Sequence, residues 1–390
     1  MTPAARVAAA IDILDLVLSG DVAEKTLTTW ARKNRYAGSG DRAAIRDLVF
    51  DALRCRRSFA WLGGADTGRG LMLGRIRAAG DDPAEVFTGA GYGPTELEPG
   101  EHAGPDLAEA PLPVQLDMPD WLMPALSDSL GGDLAEVCAI LRNRAPVFLR
   151  VNIAQATRAD AAEQLAAEGI QTTPHALAST ALQVVSNPRR VQNSQAFRDG
   201  LVELQDAASQ ALVETLPKSA RVLDYCAGGG GKSLAIAATG ARVIAHDANP
   251  ARMRDLAVRA ERAGVFIETV ETADLAACGP FDLVLCDAPC SGSGAWRRSP
   301  EAKWRLTPES LGELHRLQAE ILDDARVLVV PGGVLVYATC SMFADENEHQ
   351  AKGFLARNPG WRQTYERRYT VLEGGDGFYV THLTANEKQS

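Results

Sequence analysis

Long apolar segments are absent from the sequence. No run approaches the roughly 18 apolar residues that a membrane-spanning helix requires. The N-terminal sequence MTPAARVAAAIDILDLVLSG has the periodicity of an amphipathic helix, and Asp12 and Asp15 interrupt its apolar residues, which is unlike a signal peptide. We therefore expect a cytoplasmic protein with no membrane partner.

Cysteine pairs of the kind that bind zinc are also missing. The seven cysteines form no CxxC pair, and no histidine is spaced from them as in a zinc site. An odd number of cysteines in a long chain argues against a disulfide framework. We expect no metal site, and we expect most of these cysteines to be small buried residues.

An excess of basic residues, a common sign of nucleic-acid binding, is lacking as well. The formal net charge is -10. However, residues 81–140 contain 13 acidic residues and no Lys or Arg, and the rest of the chain contains 40 basic and 37 acidic residues. Because attraction to phosphates depends on the local potential, the net charge does not exclude an RNA partner. We expect the acidic stretch to face away from any RNA.

The pattern along the chain predicts several domains, for which 390 residues are sufficient. Helical periodicity runs through residues 1–75, whereas residues 81–120 are rich in Gly, Pro and acid and predict a linker. From about residue 197, five strand candidates alternate with helical patterns: RVLDY, RVIAHD, VFIETVE, FDLVLCD and GVLVYAT. This alternation predicts an α/β domain with a parallel sheet and helices on both faces. The predicted domains span residues 1–80, 81–140, 141–195 and 196–390, of which 141–195 is a small α+β unit.

A glycine-rich loop, in the sequence DYCAGGGGKS, follows the first of these strands and opens a helix. The next strand ends at Asp247, where a carboxylate can accept hydrogen bonds from ribose hydroxyls, and Asp274 follows the third strand, where it can meet an adenine amino group. A GxxxxGK[ST] phosphate loop is excluded because Cys226 occupies the position of its first glycine. The pattern favours a ligand with a ribose and a base but no phosphates. A glycine-rich turn without a ligand and a dinucleotide site are the alternatives.

Two cysteines follow the fourth and fifth strands. The sequence DAPC contains Asp287 and ends at Cys290, and the sequence ATCS contains Cys340. Because ligands bind beyond the carboxyl ends of the strands in such sheets, both thiols should lie beside the ligand. A thiolate that adds to carbon 6 of cytosine activates carbon 5 toward a methyl donor, which is covalent catalysis. Asp287 would bond the base edge near N3, and a second thiol would assist product release.

These motifs resemble those of the RsmB/Sun family of RNA 5-methylcytosine methyltransferases. The loop DYCAGGGGKS resembles the family's cofactor loop, DAPCSGSGAWRRSPEAKW its fourth motif and ATCSMFADENE its sixth. The segments MPDWL, LRVN, FRDGLVELQDAASQ and GDGFY also match. The first 75 residues are similar to a NusB-like helical RNA-binding domain. The resemblance is strong after residue 197 and weak before residue 118.

The resemblance implies a class I S-adenosylmethionine-dependent methyltransferase domain with a Rossmann-like α/β fold, preceded by a small α+β RNA-binding unit and an all-α NusB-like domain. It implies that Cys340 is the nucleophile and that Cys290 assists release, whereas DNA cytosine methyltransferases attack with the Pro-Cys cysteine. The residues implied to hold S-adenosylmethionine are Cys226, Ala227, Gly228, Gly229, Gly230, Gly231, Lys232, Asp247, Asp274 and Asp287. The domain order implies a ribosomal RNA substrate of the 16S type. We also expect no DNA partner and a monomer.

One departure from the family pattern and one further feature concern the cofactor loop and the RNA contacts. The family's cofactor loop usually reads CAxPGGK, and Gly229 stands where proline is expected, which loosens the turn. After Cys290, four basic residues alternate with Trp296 and Trp304, a composition that suits single-stranded RNA unless the tryptophans pack inward. The basic residues are Arg297, Arg298, Lys303 and Arg305. Transfer RNA as the substrate, a DNA cytosine methyltransferase and a non-catalytic ribosome-assembly factor are the alternative functions.

Overall fold

A computed structural model describes residues 1–385 of the chain. These residues form two compact units. The helical unit contains residues 1–144 together with residues 296–305, and the sheet unit contains residues 145–295 together with the chain from Leu306 onward. None of the helices in the described part of the chain has both the length and the apolar character that crossing a membrane requires.

Amphipathic helices build the helical unit, as the periodicity of its first 75 residues predicts. The apolar positions Ile13, Leu14, Ile45 and Val49 are all fully buried in one core cluster. The helix bounds are α1 Pro3–Leu18, α2 Ala23–Lys33, α3 Ser39–Arg54, α4 Arg56–Gly63, α5 Gly68–Ala78, α6 Leu112–Gln115, α7 Met123–Leu130 and α8 Leu134–Leu141.

The acidic stretch 81–140 packs into the helical unit, which differs from the linker that its composition predicts. Phe87 is buried in the core cluster of that unit, and Arg69 makes a two-pronged ion pair with Glu101 at 2.6 and 2.8 Å. Three apolar side chains further along the stretch are completely buried: Met118, Leu122 and Leu126. Apolar side chains at irregular spacing thus pack this stretch against the helical unit, although it lacks the periodic pattern of a helix.

Residues 296–305, which the sequence places in the domain of the parallel sheet, belong to the helical unit. They contain helix α15, Pro300–Arg305. The indole Nε1 of Trp304 donates to the carbonyl of Leu53 at 2.6 Å, and the Lys303 ammonium donates to the carbonyls of Arg54 and Asp117. Trp296, Arg297 and Lys303 are all buried. The prediction that these three side chains bind RNA is wrong, because they are not accessible to a base or a phosphate.

Burial gives Lys303 a measurable effect on stability. Desolvation lowers the pKa of its ammonium from 10.5 to about 8, although the nearby Asp117 carboxylate opposes this shift. Between these two pH values the unfolded chain binds more protons than the folded chain, so stability rises with pH. We expect wild type to gain about 3 kcal/mol relative to Lys303→Met between pH 8 and 10.5. Urea unfolding across this range measures the difference, and parallel pH profiles for the two proteins would contradict it.

The sheet unit begins with a small antiparallel sheet in the strand order β2-β3-β1-β4. Its elements are β1 Val147–Val151, α9 Arg158–Ala167, β2 Thr172–Pro174, β3 Ala181–Val184, α10 Gln195–Arg198 and β4 Val202–Leu204. The first strand, the helix and the third strand match the predicted α+β unit. However, β4 pairs with β1 in the register Arg150 to Glu203. The small sheet therefore continues past residue 195, where the sequence places its end.

The second sheet has seven strands in the order β10-β11-β9-β8-β5-β6-β7. Strands β5 to β9 are parallel, as the five predicted strands require, and β10 and β11 are antiparallel. The strands are β5 Arg221–Asp224, β6 Arg242–Ala245, β7 Ile267–Thr269, β8 Phe281–Asp287, β9 Val329–Thr339, β10 Trp361–Tyr369 and β11 Phe378–Ala385. Their helices are α11 Ala207–Glu214, α12 Gly231–Ala237, α13 Leu256–Arg262, α14 Leu275–Cys278, α16 Pro308–Ala325 and α17 Glu348–Arg357.

This strand order is that of a class I methyltransferase and confirms the expected α/β fold. One buried cluster joins the sheet to α11 and α12, and another joins it to α16 and α17, so helices cover both faces. The chain runs from β5 to one edge of the sheet and returns to build β8 and β9 on the other side of β5. This reversal leaves a crevice beyond the carboxyl ends of β5 and β8, where ligands bind in doubly wound sheets.

Candidate functional site

A cavity of about 230 Å³ lies at this crevice, beside the glycine-rich loop. The loop after β5 supplies much of its lining. The segment before α11 supplies Gln205, α11 supplies Ser209, and β8 supplies one carboxylate. The lining residues are Gln205, Ser209, Asp224, Cys226, Ala227, Gly228, Gly229, Gly231, Lys232, Arg252 and Asp287. The structure thus brings together the loop and Asp287, which the sequence predicts as binding residues.

An ion pair between a buried lysine and a partly exposed aspartate lies in the wall of the cavity. The Lys232 ammonium donates to Asp287 Oδ2 at 2.6 Å, and the lysine side chain is 9% exposed. Burial alone lowers the pKa of Lys232, but the carboxylates of Asp287 and Asp224 outweigh it, and the net effect raises that pKa. Lys232 therefore stays charged and fixes the orientation of the Asp287 carboxylate.

Asp224 is a buried acid with spare hydrogen-bonding capacity. Its Oδ2 accepts a hydrogen bond from the Ser233 hydroxyl at 2.6 Å, whereas its Oδ1 has no partner among the described residues. Burial raises the pKa of Asp224 to about 6. A buried oxygen without a donor carries a free-energy cost. Since Asp224 also lines the cavity, this oxygen fits a ligand that brings a hydrogen-bond donor or a positive charge.

The two predicted ribose and adenine contacts differ in their surroundings. Asp247 is buried, and its carboxylate accepts from the backbone N–H of Gly228 at 2.9 Å and from Arg252 at 3.0 Å. Asp247 thus ties the end of β6 to the glycine-rich loop. Asp274 lies exposed at the start of α14 and is not among the residues that line the cavity. A direct ligand contact of either carboxylate stays a prediction.

The glycine-rich loop needs two of its glycines for conformational reasons. Gly228 has φ +53° and Gly230 has φ +78°, and a Cβ at Gly230 would lie 2.2 Å from the Leu256 side chain. At Gly229, where the family usually has proline, the backbone carbonyl accepts a hydrogen bond from the Arg259 guanidinium. Arg259 in turn pairs with Glu203 at 3.5 Å. The Arg259 side chain thus restrains the turn, which glycine in place of proline would otherwise make more flexible.

The two predicted catalytic cysteines meet at the ends of β8 and β9. The sulfur atoms of Cys290 and Cys340 are 3.4 Å apart. The hydrogen bond to Cys340, together with burial, raises the pKa of Cys290 well above its usual value. Burial also raises the pKa of Cys226 and of Cys286. Because the thiolate is the reactive form, the raised pKa values of Cys226 and Cys286 argue against these two cysteines as nucleophiles.

The sequence prediction missed several polar residues of this region. Glu346 is buried and accepts hydrogen bonds from the residues that follow both cysteines. Gln205 and Ser209 line the cavity. They belong to the segment FRDGLVELQDAASQ, which matches the family but to which no binding or catalytic role is assigned from the sequence. Arg252 and Arg259 contact the glycine-rich loop from the region of α13, and no motif marks them.

Comparisons with known proteins identify the family that this chain resembles. A family model described as 16S rRNA methyltransferase RsmB/F matches residues 212–383, and one described as an RsmF/B-like ferredoxin-like domain matches residues 118–192. The ribosomal RNA small subunit methyltransferase B of Vibrio cholerae is 35% identical over 289 residues, which are 68% of this chain and 65% of that protein. The protein of the same name from Serratia proteamaculans is 33% identical over 282 residues, with 68% and 66% covered.

A solved structure extends the similarity to the whole fold. The crystal structure of PH0851 superimposes with a TM-score of 0.76 and covers 100% of this chain and 99% of its own, at 22% sequence identity. At this identity the superposition shows a shared fold. The curated relatives, by contrast, are matched over about 65% of their length.

Proposed function

We propose that this chain, which belongs to the RsmB/Sun family of methyltransferases, methylates carbon 5 of a cytosine in small-subunit ribosomal RNA. The methyl donor in this proposal is S-adenosylmethionine. The observation that carries the proposal is the pair of thiols, 3.4 Å apart, on the loops that follow two neighbouring strands of the sheet. The ribosomal substrate rests on the names of the curated relatives.

The cavity fits S-adenosylmethionine by the chemistry of its lining. That cofactor brings a charged amino group and a sulfonium, and when bound it supplies an activated methyl group. Asp224 offers a buried oxygen that has no partner among residues 1–385, and Asp287 offers a second carboxylate. The residues that would hold it are Asp224, Asp287 and the loop from Cys226 to Lys232, with Asp247 and Asp274 as the proposed ribose and adenine contacts.

In this proposal the two cysteines and the Lys232–Asp287 ion pair have separate roles. Cys340 adds as a thiolate to carbon 6 of the cytosine, which makes carbon 5 nucleophilic. Asp287, oriented by Lys232, bonds the base edge near N3 and assists the ring in accepting the thiolate. After carbon 5 has gained the methyl group and lost its proton, the bond between Cys340 and carbon 6 breaks. Cys290, whose sulfur lies 3.4 Å from that of Cys340, assists this release.

Because Trp296, Arg297 and Lys303 are buried, we propose RNA contacts elsewhere in the helical unit. In the helical unit, Arg32, Arg35 and Arg42 line a shallow cavity between the end of α2 and the start of α3. Three guanidinium groups at one surface suit the phosphates of an RNA backbone. This surface supports the proposed RNA-binding role of the helical unit, and the cytoplasmic location expected from the sequence suits a ribosomal substrate.

A methyl-transfer assay tests the proposed function. Purified protein is incubated with methyl-labelled S-adenosylmethionine and, in parallel, with unmethylated 16S rRNA, transfer RNA or DNA. We expect label in the ribosomal RNA, and bisulfite sequencing of RNA from cells with and without the gene should locate one protected cytosine. Label in transfer RNA or DNA instead would overturn the proposed substrate. Binding of S-adenosylmethionine without transfer to any nucleic acid would favour the non-catalytic assembly factor.

A further inference from the structure

Glu346 is a carboxylate buried beneath the two cysteine loops. It lies seven residues after Thr339, the last residue of β9, in a short 3-10 turn formed by Ala344–Glu346, and its side chain is completely inaccessible. A buried carboxylate is costly unless hydrogen bonds replace its hydration. The proposed methyl-transfer steps assign this residue no role.

Four donors surround the Glu346 carboxylate. Its Oε1 accepts from the backbone N–H of Ser291 at 2.8 Å and from Gln318 Nε2 at 3.0 Å. Its Oε2 accepts from the hydroxyls of Ser291 and Ser341, each at 2.5 Å. Ser291 directly follows Cys290, and Ser341 directly follows Cys340. One side chain therefore bridges the two loops that carry the thiols.

Further hydrogen bonds make this bridge rigid. Gln318, on α16, also donates to the carbonyl of Pro289, the residue before Cys290. The backbone N–H of Gly294 donates to the Cys340 carbonyl at 2.9 Å. A carboxyl group has about four lone-pair sites, and four donors meet them here. The geometry thus holds the backbone on both sides of the pair of thiols.

We infer that Glu346 is a positioning residue that sets the separation and orientation of Cys290 and Cys340. The expected effect on catalysis rests on the roles proposed above for the two cysteines. The positioning of the thiols does not depend on those roles. The spacing of the thiols is a property of the protein alone and is measurable without RNA. A displacement of about 1 Å at reacting groups costs on the order of 100-fold in rate, so losing the bridge should slow methyl transfer strongly.

The test compares Glu346→Ala with Glu346→Gln. Alanine leaves the Ser291 N–H buried without an acceptor and frees both serine hydroxyls. In glutamine, the amide oxygen can keep the two contacts of Oε1, while the NH₂ group donates to hydroxyls that rotate to accept. We expect Glu346→Ala to lower kcat about 100-fold with little change in cofactor Kd. Glu346→Gln should recover most of that loss.

A thiol readout separates positioning from stability. Diamide, an azo oxidant, takes two hydrogen atoms from two neighbouring thiols, so that a disulfide forms and the azo bond becomes a hydrazide. The rate of the Cys290–Cys340 disulfide, followed by peptide mass mapping without RNA, reports on the spacing of the sulfur atoms. We expect Glu346→Ala to change this rate at least tenfold and Glu346→Gln to change it little.

Asp323→Ala is the matched control. Asp323 bonds Arg357 and Asn358, so it joins α16 to the end of α17 without contacting either cysteine loop. It should lower the melting temperature and leave the disulfide rate unchanged. If Glu346→Ala keeps both the wild-type disulfide rate and the wild-type kcat, the inference is overturned. If wild type methylates no RNA but the disulfide rate still responds to Glu346→Ala, positioning holds and only the proposed function fails.

Discussion

Replacing Cys340 by alanine is expected to abolish both methyl transfer and the covalent adduct with RNA, because the attacking sulfur is gone. Replacing Cys290 by alanine should have a different effect. That variant still has the Cys340 thiol, but it lacks the neighbouring group that assists release. We therefore expect it to accumulate protein that is bound covalently to RNA. A denaturing gel with labelled ribosomal RNA distinguishes the two variants, since only Cys290→Ala should give a shifted band.

Cys278→Ala serves as the control, because Cys278 is a free cysteine at the end of α14, away from the thiol pair. It should methylate RNA like wild type and give no accumulated adduct. The reverse pattern, with an adduct in Cys340→Ala and none in Cys290→Ala, would exchange the roles of the two cysteines.

Replacing Lys232 by methionine is expected to destabilise the sheet unit and to prevent methyl transfer. The variant leaves the Asp287 and Asp224 carboxylates close together without the ammonium between them. Breaking a buried ion pair costs about 3–5 kcal/mol, and Asp287 is 31% exposed, so we expect about 3 kcal/mol. Thermal unfolding measures the loss of stability, and the labelled methyl assay measures the loss of activity.

The double variant Lys232→Met/Asp287→Leu separates these two effects. Replacing both partners by apolar residues removes the uncompensated charge and should recover most of the stability. Activity should stay absent, because the double variant has no group to bond the base edge near N3. Recovery of activity together with stability would show that the ion pair has only a structural role.

The sequence was sufficient to predict the parallel strands and the residues at their carboxyl ends. Short apolar runs bounded by glycine-rich loops predict β5 and β8, and residues at their ends must meet because parallel strands share one edge. This geometric necessity places Lys232, Asp287, Cys290 and Cys340 in one region before any coordinates are known.

The contacts that other parts of the chain make with the carboxyl edge of the sheet could not be predicted from the sequence. Lys303 and Trp296 have the composition of an RNA-binding loop, and only tertiary packing shows that they are buried. Arg259 reaches the Gly229 carbonyl from another helix, at a distance in the chain that no local pattern encodes. Glu346 occurs within a matched motif, but its acceptor role depends on Ser291, which lies in a different loop.

The excursion of residues 296–305 has a consequence for how the protein can be divided. The polypeptide passes between the two units three times, after residues 144, 295 and 305. A single protease cut near residue 144 therefore leaves residues 296–305, which belong to the helical unit, on the fragment that carries the sheet unit. A chain shortened to begin at Ala145 would expose Trp296 and Lys303 to water, because the helices that surround this segment would be missing.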